Sequence, residues 1–308
     1  MEQDSRSSHT HHSHDHAQLN YGRAFAIGIT VNLVYVAGEA VAGVLSGSLA
    51  LLADASHNLG DVLSLSLSWG AEILSRRQPS SRFTYGLRST SILAALANAI
   101  ILLVVTGGIA WEAIRRLNHP APVASGIVIA VAAVGIFVNG GTALLFASGK
   151  SDLNVKSAFL HMAADAVVTA GVVAAGIVIW LTHWEWLDPA VSLVVSVVII
   201  VGTWGLLKSA IGLALAAVPV GVDAAAVRSH LLALPGVTGL HDLHIWGMST
   251  TETALTCHLV MPAGHPGDAV LTGVAQELHH RFGIQHATIQ IELADTDEVC
   301  ALTPEHVV

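Results

Sequence analysis

The chain has 308 residues, 53% of them hydrophobic and only 11% charged, with a formal net charge of −9. Soluble globular domains carry about 25% charged residues, so the composition argues against an ordinary soluble protein and for a membrane. The acidic balance, without a basic face or an aromatic-interleaved Lys/Arg stripe, gives no support to nucleic acid as a partner.

The first 20 residues are polar and contain His9, His11, His12, His14 and His16 at irregular spacing. Such a tract reads as a cytoplasmic tail that collects metal loosely, with incidental histidines in a disordered tail as the other reading. No short apolar run behind a Lys/Arg cluster precedes the first long apolar segment, which is therefore expected to stay as a helix rather than act as a secretory leader.

A bilayer core about 30 Å thick needs roughly 20 apolar residues per helix. Six segments reach that length, at about 24–45, 49–74, 90–113, 122–148, 157–181 and 187–207. With the N-terminus inside, Arg23, Arg76, Arg77, Arg82, Arg88, Lys150, Lys156 and Lys208 fall on the cytoplasmic side and only Arg115 and Arg116 outside. That asymmetry places both termini in the cytoplasm, and Trp111, Trp184, Trp186 and Trp204 stand near span ends as interfacial anchors would.

After Pro219 the pattern changes to ordinary mixed sequence. Residues 222–234 and 266–282 read as amphipathic helices, and 237–248, 253–261 and 286–293 as strands. The expected architecture is an all-α six-helix transmembrane domain over 21–210, then a small αββαβ α+β domain over 211–296 and a loose tail over 297–308. Cys257 and Cys300 are too few for a disulfide framework and suit a reducing compartment.

The chemistry is carried by two repeated pairs. The second span contains His57 and Asp61, and the fifth contains His161 and Asp165, both as His-x-x-x-Asp. Residues four apart lie on one helix face, so each helix offers an imidazole and a carboxylate to the same point. Two such helices supply four ligands of the kind tetrahedral zinc takes. A carboxylate at a helix centre costs about 2.5–3.5 kcal/mol on insertion scales, so a matched pair in each of two spans is read as functional rather than as helix packing. Small neighbours Ala53, Gly60, Ala163 and Ala164 would let the two helices approach. Asp54, one turn before His57, reads either as a solvated acid at the outer helix end or as part of an exit path. Glu39, Asn32 and Asn98 read first as polar helix-packing residues, with a proton or vestibule role open to Glu39.

Three stretches carry a family resemblance: Ser48-Leu-Ala-Leu-Leu-Ala-Asp-Ala-Ser-His57-Asn-Leu-Gly-Asp61, Phe83-Thr-Tyr-Gly86 and Asn154-Val-Lys-Ser-Ala-Phe-Leu-His161-Met-Ala-Ala-Asp165. With His241-Asp-Leu-His244-Ile-Trp246 and His286-Ala-Thr-Ile-Gln-Ile-Glu292, the chain from about 20 to 293 resembles the cation diffusion facilitator family of zinc transporters. The resemblance implies a homodimer in the lipid bilayer, in a bacterial inner membrane, exchanging cytoplasmic Zn2+ for protons at His57, Asp61, His161 and Asp165. It also implies a metallochaperone-like cytoplasmic domain that dimerises and binds regulatory zinc, with His241, His258 and Glu292 as ligands and His286 as an addition. Relatives with Asp in place of the first His are associated with broader cadmium or manganese transport, which makes His57 the expected arbiter of zinc over cadmium. The segment from Arg76 to Arg88 has no His, Asp or Glu, so the additional metal site that some members hold there is expected to be absent.

Independently of the resemblance, His241 and His244 would lie on opposite faces of a regular strand. Cys257 would point away from its neighbour His258, and His265, His279 and His280 read as surface residues. Two other functions fit part of the pattern. An intramembrane zinc enzyme would need a general base such as that of His-Glu-x-x-His, which the chain lacks, and an open coordination position. A membrane metal sensor or channel without coupled antiport would need the same ligands and differs only in conformational exchange.

Overall fold

The computed structural model describes residues 21–75, 77–146 and 153–293 together with Leu302, and does not describe the helical side chains at 21–29, 65, 68, 71, 72, 75 and 141–162. The His9–His16 tract, Cys300 and nearly all of the 297–308 tail lie outside the described residues.

Six long helices follow one another: α1 (Tyr21–Ser46), α2 (Leu49–Ser75), α3 (Thr90–Asn118), α4 (Ser125–Phe146), α5 (Leu153–Thr182) and α6 (Leu187–Ala214). The third runs past the expected 113 and the sixth past 207, because Arg115, Arg116 and Lys208 are good helix formers that sit near helix ends, where their charge can reach water. Among the described side chains, Thr90–Asn118, Ala163–Thr182 and Leu187–Ala214 are long and apolar enough to cross a membrane, whereas Thr30–Ser46 and Ser125–Gly140 form shorter apolar stretches. The outer faces are apolar, with Val34, Leu45, Phe137, Val167, Val201 and Trp204 all exposed. Helices hydrophobic all round belong in hydrocarbon rather than in water.

α4 packs chiefly on α5 and α3 on α6, while α2 lies centrally against α1, α3 and α6 and touches α5 only lightly. Of the four small residues expected between α2 and α5, Ala53 is buried near Val168 of α5, but Gly60 and Ala164 are not part of such a seam. Ala164 is exposed, and a Cβ at Gly60 would come 2.8 Å from Leu102 of α3, so Gly60 opens space for that helix instead. Asn98 of α3 meets the same stretch, donating from Nδ2 to Ser64 Oγ at 2.8 Å, as a packing residue would.

The α1–α2 turn is fastened from outside. Gly47 takes φ +68°, which glycine adopts at little cost, and Arg116 Nη1 donates to its carbonyl at 2.7 Å. Asp188, at the start of α6, is 2% exposed and caps α2 from across the bundle. It accepts from Ser48 Oγ at 2.5 Å, Leu49 N at 2.7 Å and Ala50 N at 3.3 Å. A helix start leaves backbone N–H groups without partners, and this carboxylate satisfies two of them. Asp188→Ala leaves three buried donors unpaired and is expected to cost about 3 kcal/mol or more. A lowered thermal midpoint in detergent, smaller for Asp188→Asn, is the expected result; an unchanged midpoint for the alanine variant would show that the turn does not depend on the cap.

The C-terminal part contains α7 (Ala224–Leu232), β1 (Gly239–Gly247), β2 (Thr253–Val260), α8 (Asp268–Phe282) and β3 (His286–Glu292). The sheet order is β1-β2-β3, with β1 antiparallel and β3 parallel to β2. Asp223 caps α7 through Ala225 N and Ala226 N, and Gly283 ends α8 in the left-handed conformation. The two helices cover the sheet through Val227, Leu231, Leu255, Leu259, Leu278 and Ile284. The same core takes Cys257, whose thiol burial pushes up to about 12, leaving it an inert packing group. This unit meets the helical one at the start of α3. Arg88 Nη1 pairs with Glu252 at 2.7 Å, Ser89 Oγ donates to Met248 O, and Thr250 N donates to Ser91 Oγ.

Candidate functional site

α2 carries His57 and Asp61 on one face, and α5 brings Asp165 against them. His57 Nε2 lies 2.9 Å from Asp165 Oδ1. One ligand atom from each of His57, Asp61 and Asp165 lies within 4.8 Å of the others, close enough to share a metal ion. Asp165 is buried, 4% exposed, and Thr169 Oγ1 donates to its backbone carbonyl at 3.0 Å. His161 sits one helical turn before Asp165 in α5, and its side chain is outside the described set.

The short His57–Asp165 contact has a chemical consequence. A nitrogen 2.9 Å from a carboxylate oxygen needs a proton on the line between them, on either a neutral or a protonated imidazole. Metal coordination requires that nitrogen's lone pair and an ionised carboxylate. A metal held by these residues would therefore compete with a proton for one point between α2 and α5.

Of two neighbouring acids, one departs from its sequence reading and one keeps it. Asp54 was expected at a wet outer helix end, but it is 1% exposed. α2 is the central helix of the bundle, so even its N-terminal half is covered by neighbours. Glu39 of α1 is fully buried and does serve helix packing, accepting from Tyr35 OH and from Asn58 Nδ2, each at 3.0 Å.

A second cluster lies on the exposed side of the C-terminal sheet. His241 and His258 are direct cross-strand partners, with ring centroids 5.1 Å apart. Glu292, in the last position of β3, approaches both, at 3.3 Å from His241 Nε2 and 2.9 Å from His258 Nδ1. These three side chains also lie within reach of one ion. His286 is not with them: it is at the other end of β3, edge-on to Tyr85 with 5.7 Å between centroids. Parallel pairing sets it opposite Ala254, far along the strand from His258. His265, His279 and His280 are exposed, as expected.

The strand is also less regular than the alternation assumed. A bulge falls between His241 and His244, with Asp242 at φ +50°, and the partners of the two histidines, His258 and Thr256, are two residues apart. The extra residue brings His241 and His244 to the same face instead of opposite ones. It also turns Asp242 into the cluster, where its carboxylate lies 3.5 Å from His258 Nε2 and 2.8 Å from His244 Nε2. Asp242 escaped the sequence reading. The signal available was an Asp between histidines in a strand, a residue type that tolerates positive φ.

The chain matches the model of the cation efflux transmembrane domain over residues 25–213 and that of the cation efflux protein cytoplasmic domain over residues 219–294. It is 37% identical over 292 residues to the cation efflux system protein CzcD of an Alcaligenes strain, covering 94% of this chain and 92% of that one. It is 37% identical over 290 residues to the zinc transporter ZitB of Escherichia coli, covering 92% of each chain. It is 32% identical over 289 residues to a protein of Bacillus velezensis named cadmium, cobalt and zinc/H(+)-K(+) antiporter, again covering 92% of each.

Proposed function

We propose that this chain, which belongs to the cation efflux family of metal transporters, exports zinc from the cytoplasm of a bacterial cell in exchange for protons. The chain is an integral membrane protein with a small cytoplasmic α/β domain. In this reading all six long helices span the inner membrane, both termini face the cytoplasm, and the cytoplasmic domains of two copies pair as a homodimer. The transport site is His57, Asp61, His161 and Asp165, two imidazoles and two carboxylates in the tetrahedral set that suits zinc.

The observation that carries the proposal is the 2.9 Å His57–Asp165 contact, where a proton holds the place a metal would take. Zinc arriving from the cytoplasm displaces that proton; protons arriving from outside weaken the metal's hold and release it. Names given to relatives agree with both halves, one as a zinc transporter and one as an antiporter that uses H(+). The His241, His258 and Glu292 cluster then binds zinc on the cytoplasmic side, where occupancy can report metal load to the dimer.

The test is zinc flux in proteoliposomes with an imposed pH gradient. Flux should rise when the zinc-accepting compartment is acidic and fall when the gradient is collapsed. Zinc flux that ignores the gradient would favour a channel, and zinc binding without flux a sensor.

A further inference from the structure

We propose that Glu39 and Asp54 form a buried carboxyl pair that shares one proton and gives it up when a metal ion reaches the His57–Asp61–Asp165 cluster. The proposal deepens the antiport reading and takes the direction of coupling from it.

Both acids are shielded from water, Glu39 at 0% and Asp54 at 1% exposure. Glu39 has one donor on each oxygen, Tyr35 OH and Asn58 Nδ2. Asp54 has none on either oxygen. The hydroxyl of Thr169, the nearby donor from α5, gives its proton to the Asp165 carbonyl. Asn58, which bonds Glu39, lies one helical turn from Asp54 on the same face of α2, so the two carboxyls sit side by side between α1 and α2, with Thr169 of α5 next to Asp54. Two ionised carboxylates cannot bond to each other, because both only accept; one proton turns the contact into an O–H···O bond. Without it, two like charges would sit side by side in a low-dielectric interior, one of them with no donor at all.

Among the described residues the surroundings supply no cation to the pair. α1 adds Tyr35 and α2 adds Asn58 and His57. α5 adds Thr169 and Asp165. α4 presents Ala130, Val131 and Val134, which with Glu39 and Tyr35 line a 370 Å³ cavity between α1 and α4. α6 keeps its titratable groups, Asp188 and Lys208, at its two ends, and α3 keeps Glu112, Arg115 and Arg116 at one. Among the described residues, no Lys or Arg pairs with either acid. The proton is thus the cation that this pocket is built to accept.

The pair is also placed to respond to cargo. Asp54 precedes His57 by three residues on α2, so a divalent ion bound at His57 lies within about two turns of both carboxyls. A positive charge at that distance favours ionised carboxylates and drives the proton off. When the metal leaves, the proton returns. Transport then moves one more proton per zinc than the metal ligands release.

Infrared spectroscopy and proton counting on the full-length protein test this. Metal-free wild type at neutral pH should show the C=O band of a protonated carboxyl that disappears on adding zinc, and Glu39→Gln should lack it. In weakly buffered solution with a pH dye, Glu39→Gln should bind zinc within a few-fold of wild type and release about one proton fewer per zinc. If Glu39→Gln does not fold, Asp54→Asn takes its place; it removes the like charge and should move the titration of the band to lower pH. A wild type without the band, a Glu39→Gln variant with full proton release, or an Asp54→Asn variant with an unmoved titration each overturn the pair. Failure of antiport itself looks different, as zinc flux indifferent to a pH gradient while the zinc-sensitive band is still present.

Discussion

Asp165→Ala is expected to abolish zinc flux and to weaken zinc binding by at least about 100-fold, since loss of a single outer-shell partner already costs 10–100-fold and this residue is in the proposed inner shell. Asp165 would supply one of only two anionic ligands to a dication in a poorly solvated place. The substitution also removes a partner of His57, which lies 2.9 Å away, so the imidazole loses one hold on its ring as well as its proposed companion ligand. Asp165→Asn keeps the volume and one acceptor but not the charge, and should fold while binding zinc almost as poorly. Isothermal titration for binding and a zinc dye in proteoliposomes for flux are the readouts. Flux surviving in Asp165→Asn at wild-type level would remove the carboxylate from the transport site.

Much of that site is legible in sequence because it depends on local geometry. A helix fixes the relation of His57 to Asp61 through its period, whatever packs outside it, and the cost of acids in an apolar span marks them as purposeful. What spacing cannot supply is how helices meet. Of the small residues expected between α2 and α5, Gly60 faces Leu102 and Ala164 is exposed, while Ala53 does pack near Val168 of α5. The bridge between the two helices is the polar contact of His57 and Asp165 itself. Asp54 fails for a related reason: its distance from the helix end is visible, but its cover by neighbouring helices is tertiary.

The cytoplasmic cluster was harder to read, because sheets assemble it from distant strands. His258 and Glu292 are 34 residues apart and meet through parallel pairing of β2 with β3. No periodicity within β3 says which of its ends stands beside His258, and His286 and Glu292 occupy opposite ends. Nor does alternation foresee a bulge, which here moves His244 to the face of His241 and introduces Asp242.

That bulge sets up the second large effect. In full-length protein with the proposed transport site disabled by Asp165→Ala, Glu292→Ala is expected to lower zinc affinity at the proposed cytoplasmic site by about 100-fold or more, and Asp242→Ala by 10–100-fold. The difference follows from geometry. Among the described residues Glu292 is the carboxylate placed against both imidazoles, 2.9 Å from His258 Nδ1 and 3.3 Å from His241 Nε2, so it is the candidate ligand. Asp242 approaches His258 from the other ring nitrogen, at 3.5 Å from Nε2. A carboxylate on the far nitrogen would favour the tautomer with Nδ1 free for metal without touching the ion. Removing Asp242 should therefore slacken the site, whereas removing Glu292 should empty it. Affinity should also fall with decreasing pH in every variant that still binds, since protonated imidazoles cannot coordinate. Equal losses for the two alanine variants would assign Asp242 to the ligand set, and no loss for either would leave these histidines as structural residues of the sheet.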